Sequence, residues 1–328
     1  MRLDRLDIES FISATSDYRT SIMGFSMLAI MLFHQYFTSV FPFNFFHNYG
    51  YWGVDVFLFL SGVGLVYSMK KNSTKIFYLR RLLRIFPSCI LCGTSRYFII
   101  ILLGSFSLML REKLNYNVWT LASLDLWFIH TIMILYIISP FLYHCLNKWP
   151  LFSMSCIVLL FFLNGLYIKP LVGFDWFSPI GIFSWTVERL LVFSIGMYFS
   201  INKYRINVNV LFPLLFLLFA VCLVLIEKAD KAFFGLQTFM YFSLALGMPA
   251  LIFLIMSILK KIPSIFQYPF LFLGSYSLEL YLVHEFIFWV LKVSFGNGNP
   301  WILLPLGFIL SCISAYLCKS CVSKWKLN

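Results

Sequence analysis

The sequence predicts an all-α polytopic membrane protein of about ten transmembrane helices, with the N- and C-termini cytoplasmic, and three observations carry that expectation. Charged residues are only 12% of the 328 and apolar ones 61%, against roughly 25% charged in an ordinary soluble domain. Apolar runs recur along the whole chain at about the 20-residue length that crosses a hydrocarbon core ~30 Å thick. Lys and Arg gather in alternate segments between those runs. Mean hydropathy is +0.88, and so little polar sequence is left over that a separate soluble domain of ~100 residues has no room. Residues 1–328 therefore read as a single integral membrane domain.

Taken in order, the spans fall at 20–40, 52–69, 84–109, 125–146, 151–168, 183–201, 209–226, 238–259, 269–292 and 301–319. The first seventeen residues carry charges of both signs, lack a small-residue cleavage site and lead into a full-length span, so no removable signal peptide is read there. YRTSIMGFSMLAIMLFHQYF forms the first span, GYWGVDVFLFLSGVGLVYSMKK the second, and the basic FYLRRLLRIFP opens the third. Pro42, Gly50, Pro150, Gly173, Pro179, Gly235, Pro263, Pro269, Gly296, Gly298 and Pro300 punctuate the short connections, as helix-ending residues do. Trp52, Trp119, Trp127, Trp176, Trp185 and Trp301 fall at span ends, as an interfacial aromatic belt requires. No internal repeat is visible, which weighs against the many secondary transporters built from repeats.

Orientation follows from the basic residues. With the N-terminus inside, Arg2, Arg5, Arg19, Lys70, Lys71, Lys75, Arg80, Arg81, Arg84, Lys148, Lys203, Arg205, Lys260, Lys261, Lys319, Lys324 and Lys326 are cytoplasmic, 17 in all. The opposite loops hold 6: Arg111, Lys113, Lys169, Lys228, Lys231 and Lys292. The excess belongs on the cytoplasmic side. A net charge of +12 therefore reads as topology. A nucleic-acid partner would need those charges on one solvated face interleaved with aromatics. Eight cysteines are present, and Cys89-Ile-Leu-Cys92 and Cys318-Lys-Ser-Cys321 have metal-like spacing. Neither has a nearby histidine or second pair, so reduced cysteines and no metal are expected.

Ionisable residues inside spans are the strongest functional signal, since even lenient insertion scales assign ~2.5 kcal/mol or more to one charge at mid-helix. His34 lies in the outer half of the first span and Asp55 just inside the outer end of the second. A histidine takes and releases a proton near neutral pH, and a carboxylate beside it would orient it and stabilise the imidazolium. Two plainer roles stay open: His34 as a buried donor to a backbone carbonyl, and Asp55 as a cap at the start of its helix. Arg19 precedes His34 by 15 residues, about 22 Å along a helix and about 60° round it. Arg80 and Arg84 share a helical face, with Arg81 beside them, and arginine forks suit phosphate. Lipid headgroup contact is the alternative. Glu188 and Arg189 open the sixth span, Arg96 sits in the third, and Glu279, His284 and Glu285 occupy the ninth. Pairing among these across the bundle is expected. No G-x-S-x-G, H-E-x-x-H or glycine-rich phosphate loop is present.

The stretches IMGFSMLAIMLFH, GVDVFLFLSG, FYLRRLLRIFP, LWFIHTIMILYIISPFLY, ERLLVFSIGMYF and GSYSLELYLVHEFIF together resemble the acyltransferase-3 family of integral membrane acyltransferases. The resemblance implies transfer of an acyl group, most often acetyl from cytoplasmic acetyl-CoA, to a hydroxyl of a glycan or glycolipid at the outer face. It implies that His34 is the proton acceptor and that Arg80, Arg81 and Arg84 hold the CoA phosphates. Many members carry an arginine eleven residues before that histidine, where this chain has Met23. Arg19, one turn earlier on the same face, is placed to supply that cation.

Acyl transfer to an alcohol needs a base for the hydroxyl proton, donors for the thioester oxyanion and a site dry enough to exclude hydrolysis. The catalytic candidates are His34 and Asp55, the donor-binding ones Arg19, Arg80, Arg81 and Arg84, and the further intramembrane candidates Glu188, Arg189, Glu279 and His284. The expected partners are acyl-CoA, a glycan or lipid-linked saccharide acceptor and the bilayer of a bacterial inner membrane. The aromatic segment from Lys169 to Ser184 is suited to stacking on a sugar or to sitting in the interface. Two other classes remain: a proton-coupled transporter or flippase using His34, Asp55, Glu188 and Arg189 as its path, and a non-catalytic membrane protein. An acyltransferase consumes acyl-CoA and leaves an acylated product, whereas a transporter changes neither molecule.

Overall fold

The computed structural model describes residues 8–35, 37, 47, 50–102, 127–172, 179–202, 211, 212, 215, 217, 220, 234–296 and 299–325. Most of the predicted span 209–226, the ends of 20–40 and 84–109, Trp119, Trp176, Cys222, Pro42, Gly173 and Gly298 lie outside them, as do residues 173–178 of the aromatic segment. So do Arg2, Arg5, Arg111, Lys113, Lys203, Arg205, Lys228, Lys231, Lys326 and the side chain of Arg96.

Helix is the only regular structure among the described residues, the expected answer where hydrocarbon leaves backbone groups no outside partner. The elements are α1 (Ile8–Asp17), α2 (Arg19–Phe33), α3 (Trp52–Lys71), α4 (Thr74–Leu102), α5 (Trp127–Lys148) and α6 (Pro150–Leu163). A π turn (Asn164–Ile168) carries α6 into α7 (Lys169–Val172). Then come α8 (Pro179–Ile201), α9 (Phe234–Lys261), α10 (Ser264–Ser275), α11 (Ser277–Phe295) and α12 (Pro300–Trp325).

Six helices among the described residues are long and apolar enough to cross a membrane: Trp52–Lys71, Trp127–Lys148, Pro150–Leu171, Ile180–Ile201, Gln237–Lys261 and Pro300–Lys324. They fall on the expected spans at 52–69, 125–146, 151–168, 183–201, 238–259 and 301–319, of which residues 125 and 126 lie outside the described residues. α2 is apolar but has 15 residues. The expected span 269–292 is not one helix: α10 ends at Ser275, Tyr276 turns at φ −107° and ψ 14°, and α11 starts afresh. Backbone hydrogen bonds bridge the break, Tyr276 N–H donating to the Phe272 carbonyl at 3.1 Å and Leu280 N–H to the Tyr276 carbonyl at 2.8 Å. Pro269, read from the sequence as loop punctuation, lies inside α10. α4 starts ten residues before the expected third span, so the basic segment is helical too.

Two compact units divide the chain, each assembled from three separate stretches. Unit 1 takes residues 1–22, 54–78 and 127–267. α8 is its centre, packed on α1, α5, α6 and α9. α3 reaches α8 through reciprocal glycines: a Cβ on Gly62 would strike the Phe193 carbonyl, and one on Gly196 the Phe59 carbonyl. Small residues permit that backbone approach between membrane helices. The N-terminal segment lies outside every expected span, yet it forms the amphipathic α1. Ile8, Phe11, Ile12, Ala14 and Thr15 are buried at helical spacing, and the Phe11 ring meets Phe212 edge-on at 4.9 Å.

Unit 2 takes residues 23–53, 79–126 and 268–328. α11 and α12 form its main helix pair, joined after Gly296, whose φ of 57° ends α11 while its N–H donates to the Lys292 carbonyl. Gly307 of α12 leaves room for the Phe288 ring, and Gly24 of α2 lies against the Phe270 carbonyl of α10.

Candidate functional site

In unit 2, α2 ends at Phe33 and its next residue, His34, still donates its backbone N–H to the Ile30 carbonyl at 3.1 Å. That last turn aims the imidazole. Its Nδ1 lies 3.1 Å from the Ile30 carbonyl oxygen and 3.0 Å from His284 Nε2. On the other side of the ring, Nε2 faces the Glu285 carboxylate at 3.9 Å. His284 is fully buried, its Nδ1 2.8 Å from the Leu280 carbonyl and 3.1 Å from that of Tyr281. Phe33 meets the His34 ring edge-on at 4.9 Å. The result is a half-buried histidine held through one nitrogen, with a carboxylate beside the other.

Glu279 and His284 are five residues apart on α11, which puts them about 140° apart round it, and they serve different neighbours. Glu279 is buried and accepts a hydrogen bond from Ser88 Oγ of α4 at 2.9 Å. One turn further along α4, Cys92 Sγ lies 3.0 Å from Cys318 Sγ of α12, both thiols free. One member of each C-x-x-C pair is thus brought together. Among the described residues no group of three His, Cys, Asp or Glu side chains could hold a metal ion.

Unit 1 holds a second polar cluster. Asp55, in the first turn of α3, approaches Arg189 Nε of α8 at 3.1 Å, close enough for an ion pair but without the alignment of a hydrogen bond. Lys169 Nζ of α7 donates to Glu188 Oε1 of α8 at 2.6 Å. The Arg189 guanidinium lies 5.5 Å from the Trp127 ring, 5.2 Å from Trp185 and 4.5 Å from Tyr241. Lys169 lies over Trp185 and Tyr241 as well. Two cations thus face two anions, with Glu188 and Arg189 paired to Lys169 and Asp55 and not, among the described residues, to one another or to the other ionisable residues of the third and ninth spans. Lys169, counted from the sequence as a loop cation, is a buried helical residue instead. Trp127 and Trp185, read as interfacial belt residues, wall the arginine.

The sequence reading offers Asp55 as the group that orients His34. Asp55 is engaged by Arg189 in unit 1, while in unit 2 the group on His34 Nδ1 is His284. Arg80 and Arg84 are exposed on α4 and Arg81 is half-buried between them. Arg19, at the start of α2, rests against α3: a Cβ on Gly64 would come within 2.6 Å of its Nη1. Ser88, Lys169 and Tyr241 were not singled out from the sequence as site residues. The lysine at the end of an apolar run, nineteen residues before a buried Glu, was the one available signal.

Long apolar helices carrying paired charges within them fit a multi-pass membrane protein. The family model described as an acyltransferase domain, that of the acyltransferase-3 family, matches residues 22–319, nearly the whole chain. The chain belongs to that family and is a membrane acyltransferase, working between an acyl donor and an acceptor in the lipid bilayer. The match takes in His34, Asp55, the α4 arginines, Glu188, Arg189, Glu279 and His284, and starts after Arg19. No curated protein and no solved structure matches the chain.

Proposed function

We propose that the chain transfers an acetyl group from cytoplasmic acetyl-CoA to a hydroxyl of an extracytoplasmic cell-surface glycan or lipid-linked saccharide, in a bacterial inner membrane, with His34 as the proton acceptor. The observation that carries this reading is accessibility. The side chains of His34 and Glu285 are 18% and 21% exposed, whereas Asp55, Glu188, Arg189 and Lys169 are at 3%, 1%, 3% and 7% and already paired. A base must meet its substrate.

The acceptor oxygen attacks the thioester carbonyl carbon while its proton passes to His34. The carbon–sulfur bond then breaks, and the imidazolium returns the proton to the departing CoA thiolate. Glu285, beside Nε2, stabilises the imidazolium while it lasts, as a carboxylate near a developing cation does. Arg80, Arg81 and Arg84, with Arg19, hold the donor phosphates. The whole chain acts as one integral acyltransferase domain, a reading supported by the extent of the family match and by the interleaving of both units along the sequence.

The test is mass spectrometry of surface polysaccharide from cells carrying the intact chain or His34→Ala at equal membrane levels. An acetyl-sized mass seen only with the intact chain is the expected result. Absence of any glycan or glycolipid difference defeats the acetyl-to-sugar reading and turns attention to transport.

A further inference from the structure

Carbonyl oxygens accept hydrogen bonds and never donate them. A ring nitrogen held within hydrogen-bond distance of one therefore carries its proton, or two lone pairs would face each other. His284 Nδ1 lies beside the carbonyls of Leu280 and Tyr281, so the proton of neutral His284 is on Nδ1 and its Nε2 is an acceptor. His34 Nδ1 lies between the Ile30 carbonyl and that His284 Nε2, at 3.1 and 3.0 Å. Both neighbours are acceptors. The two rings are thus directed one way, from His34 Nδ1–H to His284 Nε2 and from His284 Nδ1–H to the α11 backbone.

We infer that His284 is the positioning residue of this enzyme: together with the Ile30 carbonyl it holds His34 in the tautomer protonated at Nδ1, and it sets the ring so that Nε2 is the nitrogen that takes the acceptor's proton. The inference rests on the reading of His34 as the base. A lone histidine interconverts between tautomers and turns freely, whereas the paired one keeps its basic nitrogen on the Glu285 side. When His34 takes the hydroxyl proton on Nε2, its Nδ1–H bond to His284 stays in place and gains strength from the ring's charge. The same arrangement excludes a doubly protonated His284, whose Nε2–H would point at the His34 Nδ1–H. An oriented imidazole is a large effect, since a wrong tautomer lowers turnover by up to ~10⁴-fold in serine proteases.

The experiment combines kinetics with ¹⁵N NMR of histidine-labelled protein, the His34 signals being identified by their loss in His34→Ala. The intact protein is expected to show His34 protonated at Nδ1 and bare at Nε2. His284→Leu leaves the Ile30 carbonyl as the acceptor for Nδ1–H, so it is expected to keep that tautomer, to free the ring from its fixed orientation and to lower kcat by about tenfold, the scale of one lost hydrogen bond, with KM for acetyl-CoA within about twofold. His284→Gln, whose carboxamide oxygen replaces Nε2 as the acceptor, is expected to recover most of that loss. An intact protein carrying its His34 proton on Nε2 overturns the inference even if His284→Leu fails to fold. So does a His284→Leu enzyme with unchanged kcat, or one in which KM alone moves. Transfer that persists in His34→Ala overturns the base reading itself, and is told apart because the ¹⁵N signature of the intact protein is measured independently.

Discussion

Asp55 and Arg189 show how much a single residue carries when it is buried with its counter-charge. Both side chains are 3% exposed, and Asp55 Oδ2 and Glu188 Oε2 find no hydrogen-bond donor among the described residues. The cluster is balanced in charge but incompletely bonded. Removing one partner of a buried pair typically costs ~3–5 kcal/mol, because a bare charge is left behind. The two sides of this cluster differ in their reserves. Asp55→Asn leaves Arg189 facing three aromatic rings, each offering a cation ~2 kcal/mol when desolvated. Lys169→Met leaves Glu188 with no such compensation. Thermal unfolding in detergent should therefore show Lys169→Met as the more destabilised, by more than 1 kcal/mol, and Asp55→Asn combined with Arg189→Met as more stable than Asp55→Asn alone. Equal midpoints for both single variants would mean the rings do not stabilise the arginine. Residue types at depth were legible in the sequence because an ionisable group in an apolar run stands out. Partners were not. His34 meets His284 at a separation of 250 residues and Ser88 meets Glu279 at 191, and nothing local encodes which distant helix a side chain will face.

Among the elements, α3 and α8 are locked by glycines whose neighbours are backbone, and Gly64, two residues from one of them, provides the control. Alanine is the better helix former by ~1 kcal/mol, so exposed glycines of a helix improve when replaced. At Gly62 the new Cβ would strike the Phe193 carbonyl, with Met197 N at 3.0 Å, and at Gly196 it would strike the Phe59 carbonyl. Two helix backbones would have to separate, and overpacking of this kind costs ~1–3 kcal/mol. At Gly64 the obstacle is the end of the flexible Arg19 side chain, which can swing away. Gly62→Ala and Gly196→Ala should reduce the yield of monodisperse protein in detergent, whereas Gly64→Ala should leave it near the parent level. A Gly64→Ala variant as damaged as the other two would show that the Arg19 contact is rigid. Element positions were largely legible, since six expected spans coincide with long apolar helices. The break at Tyr276 was not. Length and apolar content are the same for one span and for two abutting helices, and Gly274 and Ser275 are no more than a local hint. α1 escaped for the opposite reason, its ten residues, with Glu9, Asp17 and several hydroxyls among them, being too short and too polar to register as a span.

At the scale of the whole molecule the question is which face receives the donor. Both compact units are built from three stretches each, and neither is a continuous half of the chain. The orientation we propose rests on the basic residues of the whole chain, through the cytoplasmic excess of Lys and Arg. Burial of Lys169 against Glu188 takes this residue out of the loop count on which the expected orientation rests. Acetyl-CoA carries several phosphate charges, each too costly to move through hydrocarbon unaided, so the donor must be supplied from the face that binds it. On our reading that face holds Arg80 and Arg84, exposed one turn apart on α4. Sealed inside-out vesicles given external acetyl-CoA should release CoA, and sealed right-side-out vesicles should do so only after permeabilisation. Joint replacement of Arg80 and Arg84 by Gln should raise KM for acetyl-CoA roughly tenfold, equivalent to ~1.4 kcal/mol, with kcat little changed. Added salt should raise KM of the parent and have less effect on the double variant, since exposed charges are screened within ~10 Å at 0.1 M. Arg81 is left in place because it is half-buried and engaged, so its loss would mix stability with binding. Turnover at equal rates in both sealed orientations would refute the assigned orientation. An unchanged KM in the double variant would instead spare the orientation and remove these two arginines from the donor site.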